Sequence, residues 1–102
     1  MKKIINGKRY DTETAAKLAI DYSEKSKTDF SYWQETLYQK KTGEYFLHGE
    51  GGPMTKYSVW IGENTFCGGE KIIPLTLDQA RAWGENHMTV DEYTDIFGQI
   101  TE

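Results

Sequence analysis

The sequence predicts an α+β domain built on an antiparallel sheet. Three observations lead there: a long stretch with strand alternation on both faces at Trp33–Pro53, an Asn6-Gly7 pair between short β-prone runs, and two Thr-led segments with helical spacing after Pro74. Consecutive strands joined by short turns favour antiparallel pairing, and helices at the chain ends would then cover one face. At 102 residues the chain is expected to form a single domain spanning 1–102.

Asn-Gly tolerates positive φ at both positions, so 3–5 and 8–10 are read as two very short strands of an N-terminal hairpin. Thr12 follows as an N-cap candidate with Glu13 at the positive helix end. Ala15, Leu18, Ala19 and Tyr22 recur at helical spacing, which predicts a short helix over 13–22. The polar run 23–29 has no apolar period and reads as a loop. A turn at Lys41-Thr42-Gly43 pairs Lys40 with Glu44. That register sets Tyr38 opposite Phe46 and Thr36 opposite His48 on one face, and Gln39 opposite Tyr45 and Leu37 opposite Leu47 on the other. Because side chains alternate faces, Trp33, Leu37, Tyr45 and Leu47 make the better core face. Tyr32, Tyr38, Phe46 and His48 make a second face with no predicted helix left to cover it.

The GEGGP run at 49–53 is expected to break the sheet. It lacks the Lys-Ser/Thr ending of a phosphate-binding loop and reads as a turn. A third strand is predicted at 56–62, a connection at 63–70 and a fourth main strand at 70–75, with Pro74 ending it or placing it at an edge. Thr76 caps a helix with Asp78 or Gln79 in its first turn. Thr89 begins a last short helix with Val90, Tyr93, Ile96 and Phe97 on one face, and Gly98 stops it.

Aromatic residues make up 14% of a chain that is only 37% hydrophobic, so rings would supply much of the buried area and the composition argues against intrinsic disorder. No apolar run approaches a membrane span or a signal-peptide core, which predicts a cytoplasmic protein without membrane contact. A single Cys67 excludes an internal disulfide, and no Cys/His cluster points to zinc or another cofactor. His48 and His87 lie in different elements without ligand spacing, and structural or surface roles outweigh a Cys–His nucleophile.

Charge is uneven. Residues 1–41 carry nine Lys/Arg against six Asp/Glu, and residues 42–102 carry three against ten. Two candidate partner-binding surfaces follow. One mixes Lys40 and Lys41 with Tyr38 and Phe46, as RNA-binding surfaces mix charge and rings. The other is the acidic C-terminal region, Asp78, Glu85, Asp91, Glu92 and Asp95, which would suit a basic partner. The plainer readings are ordinary packing for the rings and solvated helices for the acids.

The opening MKKIINGKRYDTETA, the hairpin ETLYQKKTGEYFLHGEGG and the closing EKIIPLT with Ala80, Ala82-Trp83, Asp91-Glu92-Tyr93 and Ile96-Phe97-Gly98 together resemble a family of small mobile-element proteins of Gram-positive bacteria. That family is associated with type II anti-CRISPR proteins. The resemblance implies a non-enzymatic inhibitor that binds the RNA-guided DNA nuclease of the host bacterium and blocks guide-RNA loading or a nucleic-acid groove. It implies no residue-level site. The alternative is a small RNA-binding or protein-interaction module of a mobile element, with a guide-RNA contact included and as a monomer or a homodimer.

Overall fold

In the computed structural model, which describes residues 1–98, Asn6 and Gly7 take φ of 51° and 76° and close the first hairpin. Its strands are β1 (Lys2–Ile5) and β2 (Lys8–Asp11), paired from Ile5↔Lys8 to Lys2↔Asp11. The main sheet comprises β3 (Ala16–Tyr22), β4 (Trp33–Gln39), β5 (Tyr45–Gly51) and β8 (Gly69–Leu75), in the order β3-β4-β5-β8 and antiparallel throughout. Between β5 and β8, β6 (Val59–Gly62) and β7 (Thr65–Cys67) form a separate two-stranded hairpin. The helices α1 (Leu77–His87) and α2 (Val90–Phe97) close the described chain. The class is α+β, as the sequence predicts, while the membership of the sheet differs.

The expected helix over 13–22 is a strand. β3 pairs with β4 through Ala19↔Leu37 and Ile20↔Thr36, with a register shift between Lys17 and Ala19. The irregularity at Leu18 turns two consecutive residues, Leu18 and Ala19, toward the same core. That pattern imitates helical spacing, because a bulge breaks the strand period of two. Thr12 is no N-cap; its N–H donates to the Met1 carbonyl and extends the first hairpin. Asp11 instead makes the local turn, its carboxylate accepting the Glu13 N–H at 2.9 Å.

The β4–β5 register matches expectation, from Leu37↔Leu47 to Tyr38↔Phe46, with the Lys40 N–H donating to the Glu44 carbonyl at 2.8 Å. Gly43 supplies φ of 96° at the turn. GEGGP does not break the sheet where expected. β5 runs through Gly51 and is hydrogen-bonded on both sides, to Trp33 of β4 and to Gly69 of β8. β8 lies at the sheet edge and carries Pro74 there. The third strand expected at 56–62 shortens to β6 and leaves the main sheet. Glu63 and Asn64, with φ of 45° and 61°, make it turn back onto β7.

Both helices begin with the expected threonine. Thr76 and Thr89 each close a capping box, with Gln79 and Glu92 as the reciprocal partners. The two C-terminal helices cover one sheet face, where Ala19, Leu37, Leu47, Ala80 and Trp83 are buried together. The opposite face is covered by the β1–β2 hairpin and not left open. Tyr10, Phe46 and Ile72 are buried there, with Ile5, Ala15 and Tyr38 packed around them. Tyr10 meets the Phe46 ring edge-on at 5.4 Å, and Tyr38 stacks on its other side at 5.2 Å. Tyr32, expected on the open face, is also buried.

Candidate functional site

The chemistry of the described residues concentrates around Glu35 of β4. Alternation places Glu35 between Trp33 and Leu37 on the helix side of the sheet, so a carboxylate is carried into the core. A buried carboxylate needs compensation, and three donors supply it. The Trp83 indole N–H, from α1, donates to Oε1 at 3.0 Å. The Tyr57 hydroxyl donates to Oε2 in a short hydrogen bond, and the Lys56 ammonium lies 2.8 Å from the same oxygen. His87, one turn beyond Trp83, stacks on the Trp83 ring at 4.7 Å and meets Trp33 edge-on at 5.8 Å. Its Nδ1–H donates to Asp21 Oδ2 at 2.7 Å, while Nε2 faces Glu35 Oε1 at 3.7 Å, too long for a hydrogen bond.

Over this floor lies a cleft of about 340 Å³, walled by Trp33, Tyr57, His87, Met54 and Lys56. A broader depression of about 700 Å³ sits where residues 27–30 meet Gly51–Pro53, but none of its charged side chains is buried, so it offers shape without a fixed charge.

Burial pushes the Glu35 carboxyl up, but the hydrogen bonds from Lys56, Tyr57 and Trp83 and the Lys56 charge outweigh it and hold the group below its ordinary value. Burial, and then the hydrogen bond to Glu35 and its charge, push the Tyr57 phenol far above its ordinary value. At neutral pH the pair is therefore a fixed anion and a fixed neutral donor. A general base poised near neutrality would need the opposite shift. Asp21, His87 and Glu35 are strung along the two sides of one ring, and among the described residues no group of three or more His, Cys, Asp or Glu is placed to hold a metal ion.

The depressed Glu35 value gives acid stability a sign. A carboxyl bound less tightly to its proton in the folded chain stabilises the fold above its unfolded value, near 4.5, and that contribution fades as pH falls through the lower folded value. Urea unfolding of Glu35→Gln against the parent chain is therefore expected to show a stability gap at neutral pH that narrows below about pH 4. A gap independent of pH would contradict the assignment.

Gly49 is required by this site. A Cβ there would fall 2.0 Å from Cζ and the hydroxyl oxygen of Tyr57, so the glycine is the floor on which the phenol lies. Gly49→Ala is expected to cost about 1–3 kcal/mol in urea unfolding, through displacement of Tyr57 from Glu35. An unchanged midpoint would show that the ring can move freely.

The sequence-predicted surfaces fare unequally. Phe46 is fully buried between Tyr10 and Tyr38 and has no surface to offer a partner. Tyr38 is half-buried in the same stack, and burial holds its phenol above the ordinary value. The Lys40 side chain is only 14% exposed, with its ammonium 3.7 Å from the Tyr10 ring centroid and 3.7 Å from Glu44. Only Lys41 stands free at the hairpin tip. The ring-and-charge surface is thus largely taken up by the fold. His48 is paired with Glu70 at 2.8 Å. The acids Asp78 and Glu85 on α1 and Asp91, Glu92 and Asp95 on α2 are all exposed, and none enters an ion pair among the described residues. Glu92 also accepts from the Thr89 N–H, closing the α2 cap.

A second surface was not foreseen. The β6–β7 hairpin exposes Trp60, Ile61 and Phe66 by 65%, 63% and 52%, with Val59 at 44%. Trp60 and Phe66 are cross-strand partners. The Asn64 turn signal between two β-prone runs was the clue to this hairpin.

No family model matches the chain, and neither the curated proteins nor the solved structures yield a relative. Among the described residues no helix is long and apolar enough to cross a membrane.

Proposed function

We propose that the chain is an inhibitor protein that works by binding, directed at the RNA-guided DNA nuclease of type II CRISPR systems in the host cytoplasm. It would block guide-RNA loading or occupy a nucleic-acid groove. The observation that carries the binding reading is the β6–β7 hairpin. A domain that closes both faces of its sheet yet leaves Trp60, Ile61 and Phe66 in water has the kind of apolar projection that marks macromolecular contact sites. The exposed carboxylates of α1 and α2 support the choice of partner, since a groove built for nucleic acid is basic. The sequence resemblance supports the class.

The test is a cleavage assay with purified nuclease, guide RNA and target DNA. Inhibitor added at molar excess before the guide is expected to suppress cleavage, and addition after guide loading separates the two modes of blocking. Asp91→Lys with Asp95→Lys, leaving the capping Glu92 in place, is expected to weaken binding about tenfold or more, with reduced salt sensitivity. Trp60→Ser with Phe66→Ser is expected to weaken it without that change in salt dependence. Full cleavage at large molar excess, across several type II nucleases, would sink the proposal.

A further inference from the structure

The cleft over Glu35 already holds a cation: the ammonium of Lys56, 2.8 Å from Oε2. The three donors to this carboxylate are not equivalent. Tyr57 and Trp83 are buried and neutral, and they hold the carboxylate in place from within the core. Lys56 comes from outside, on a side chain that is 66% exposed, and among the described residues its ammonium has one further neighbour, the Tyr57 ring at 5.4 Å. Its head can leave while the rest of the site stays assembled. A departing Lys56 would leave Glu35 Oε2 with the neutral Tyr57 hydroxyl as its donor and no cation, while His87 stays between Oε1 and Asp21. The aromatic walls Trp33, Tyr57 and His87 suit a cation approaching the carboxylate, and about 340 Å³ lies within the range of small-ligand pockets.

We infer that this cleft is a binding site for an ammonium or guanidinium group, with Lys56 as a built-in occupant that an external cation replaces. The inference stands on the cleft alone and does not depend on the inhibitor reading. The external cation is a free alkyl-ammonium or alkyl-guanidinium compound, or the arginine or lysine side chain of a protein.

The experiment uses full-length Lys56→Ala and the parent chain, titrated with methylguanidinium chloride. The Trp83 Nε1–H resonance is the readout, because that proton sits on the opposite oxygen of the same carboxylate. Lys56→Ala is expected to give a saturable shift, with affinity at least about tenfold above the parent, whose tethered lysine competes at high effective concentration. Methylurea, the neutral isostere, and sodium chloride at equal concentration are expected to give none. Lys56→Met, which keeps an apolar stem over the site, guards against a failure peculiar to the alanine variant and is expected to show the same gain. No saturable shift in either variant, or an equal response to methylurea, overturns the inference. An N-acetyl-Gly-Arg-Gly amide, whose guanidinium is its single cation, separates the sources: tighter binding than methylguanidinium assigns the site to a protein side chain, and no gain assigns it to a small cation.

Discussion

Glu35→Leu is expected to lower the unfolding free energy by about 2–4 kcal/mol. The leucine suits the apolar alternation of β4, so the loss does not come from the strand. It comes from the donors left behind. The Tyr57 hydroxyl and the Trp83 indole N–H are both buried, and each would lose its carboxylate acceptor. An orphaned buried donor costs about 1–3 kcal/mol, and the two act in one network. Lys56→Met removes a partner of the same carboxylate but is expected to cost less than about 1 kcal/mol, because the lysine side chain is largely solvated. Urea unfolding of both variants decides the matter. A Glu35→Leu loss under about 1 kcal/mol would mean that water reaches both donors and that the carboxylate does not tie α1 and the 54–57 segment to the sheet.

The contrast shows which parts of this chain were legible in its residues. Local signals with a single structural solution are legible. The Lys41–Gly43 turn set the β4–β5 register to the residue, and the two threonine caps placed both helices. Ambiguous periodicity failed. Leu18 and Ala19 share a face through a bulge, and no rule of spacing separates that from one turn of helix until a neighbouring strand is present. Glycines misled in the other direction. Gly49 and Gly51 look like chain breakers, yet they stay in β5 because Tyr57 and Thr55 need the space that a side chain would take. The Glu35 cluster joins residues from β3, β4, α1 and the 54–57 segment, so its partners were invisible one element at a time. One clue was present: an acid at a core-facing position between Trp33 and Leu37 implies donors elsewhere in the chain.

Phe46→Ala is expected to cost about 3–5 kcal/mol and to loosen the N-terminal hairpin. Phe46 is fully buried at the centre of the second core, with Tyr10 edge-on and Tyr38 stacked. A two-stranded hairpin is marginal by itself, so β1–β2 depends on this packing to stay on the sheet. The outer ion pair adds little: Lys8 to Glu44 involves a lysine side chain that is 60% exposed, and the Arg9–Asp11 pair lies within β2 itself. Hydrogen exchange should therefore show Lys3–Arg9 amides losing protection in Phe46→Ala, while amides of Leu37 and Leu47, on strands held by the helix-side core, open only with global unfolding. Tyr10→Ala should reproduce the hairpin's loss of protection from the other side of the same contact. Unchanged protection in β1–β2 would mean that the hairpin is held by its backbone and exposed charges alone. The result also separates two meanings of an aromatic second face. A face kept for a partner would lose binding on truncation of Phe46 and keep its stability. A face closed by its own N-terminus loses stability first, and whatever binding the chain performs falls only through the hairpin that comes loose.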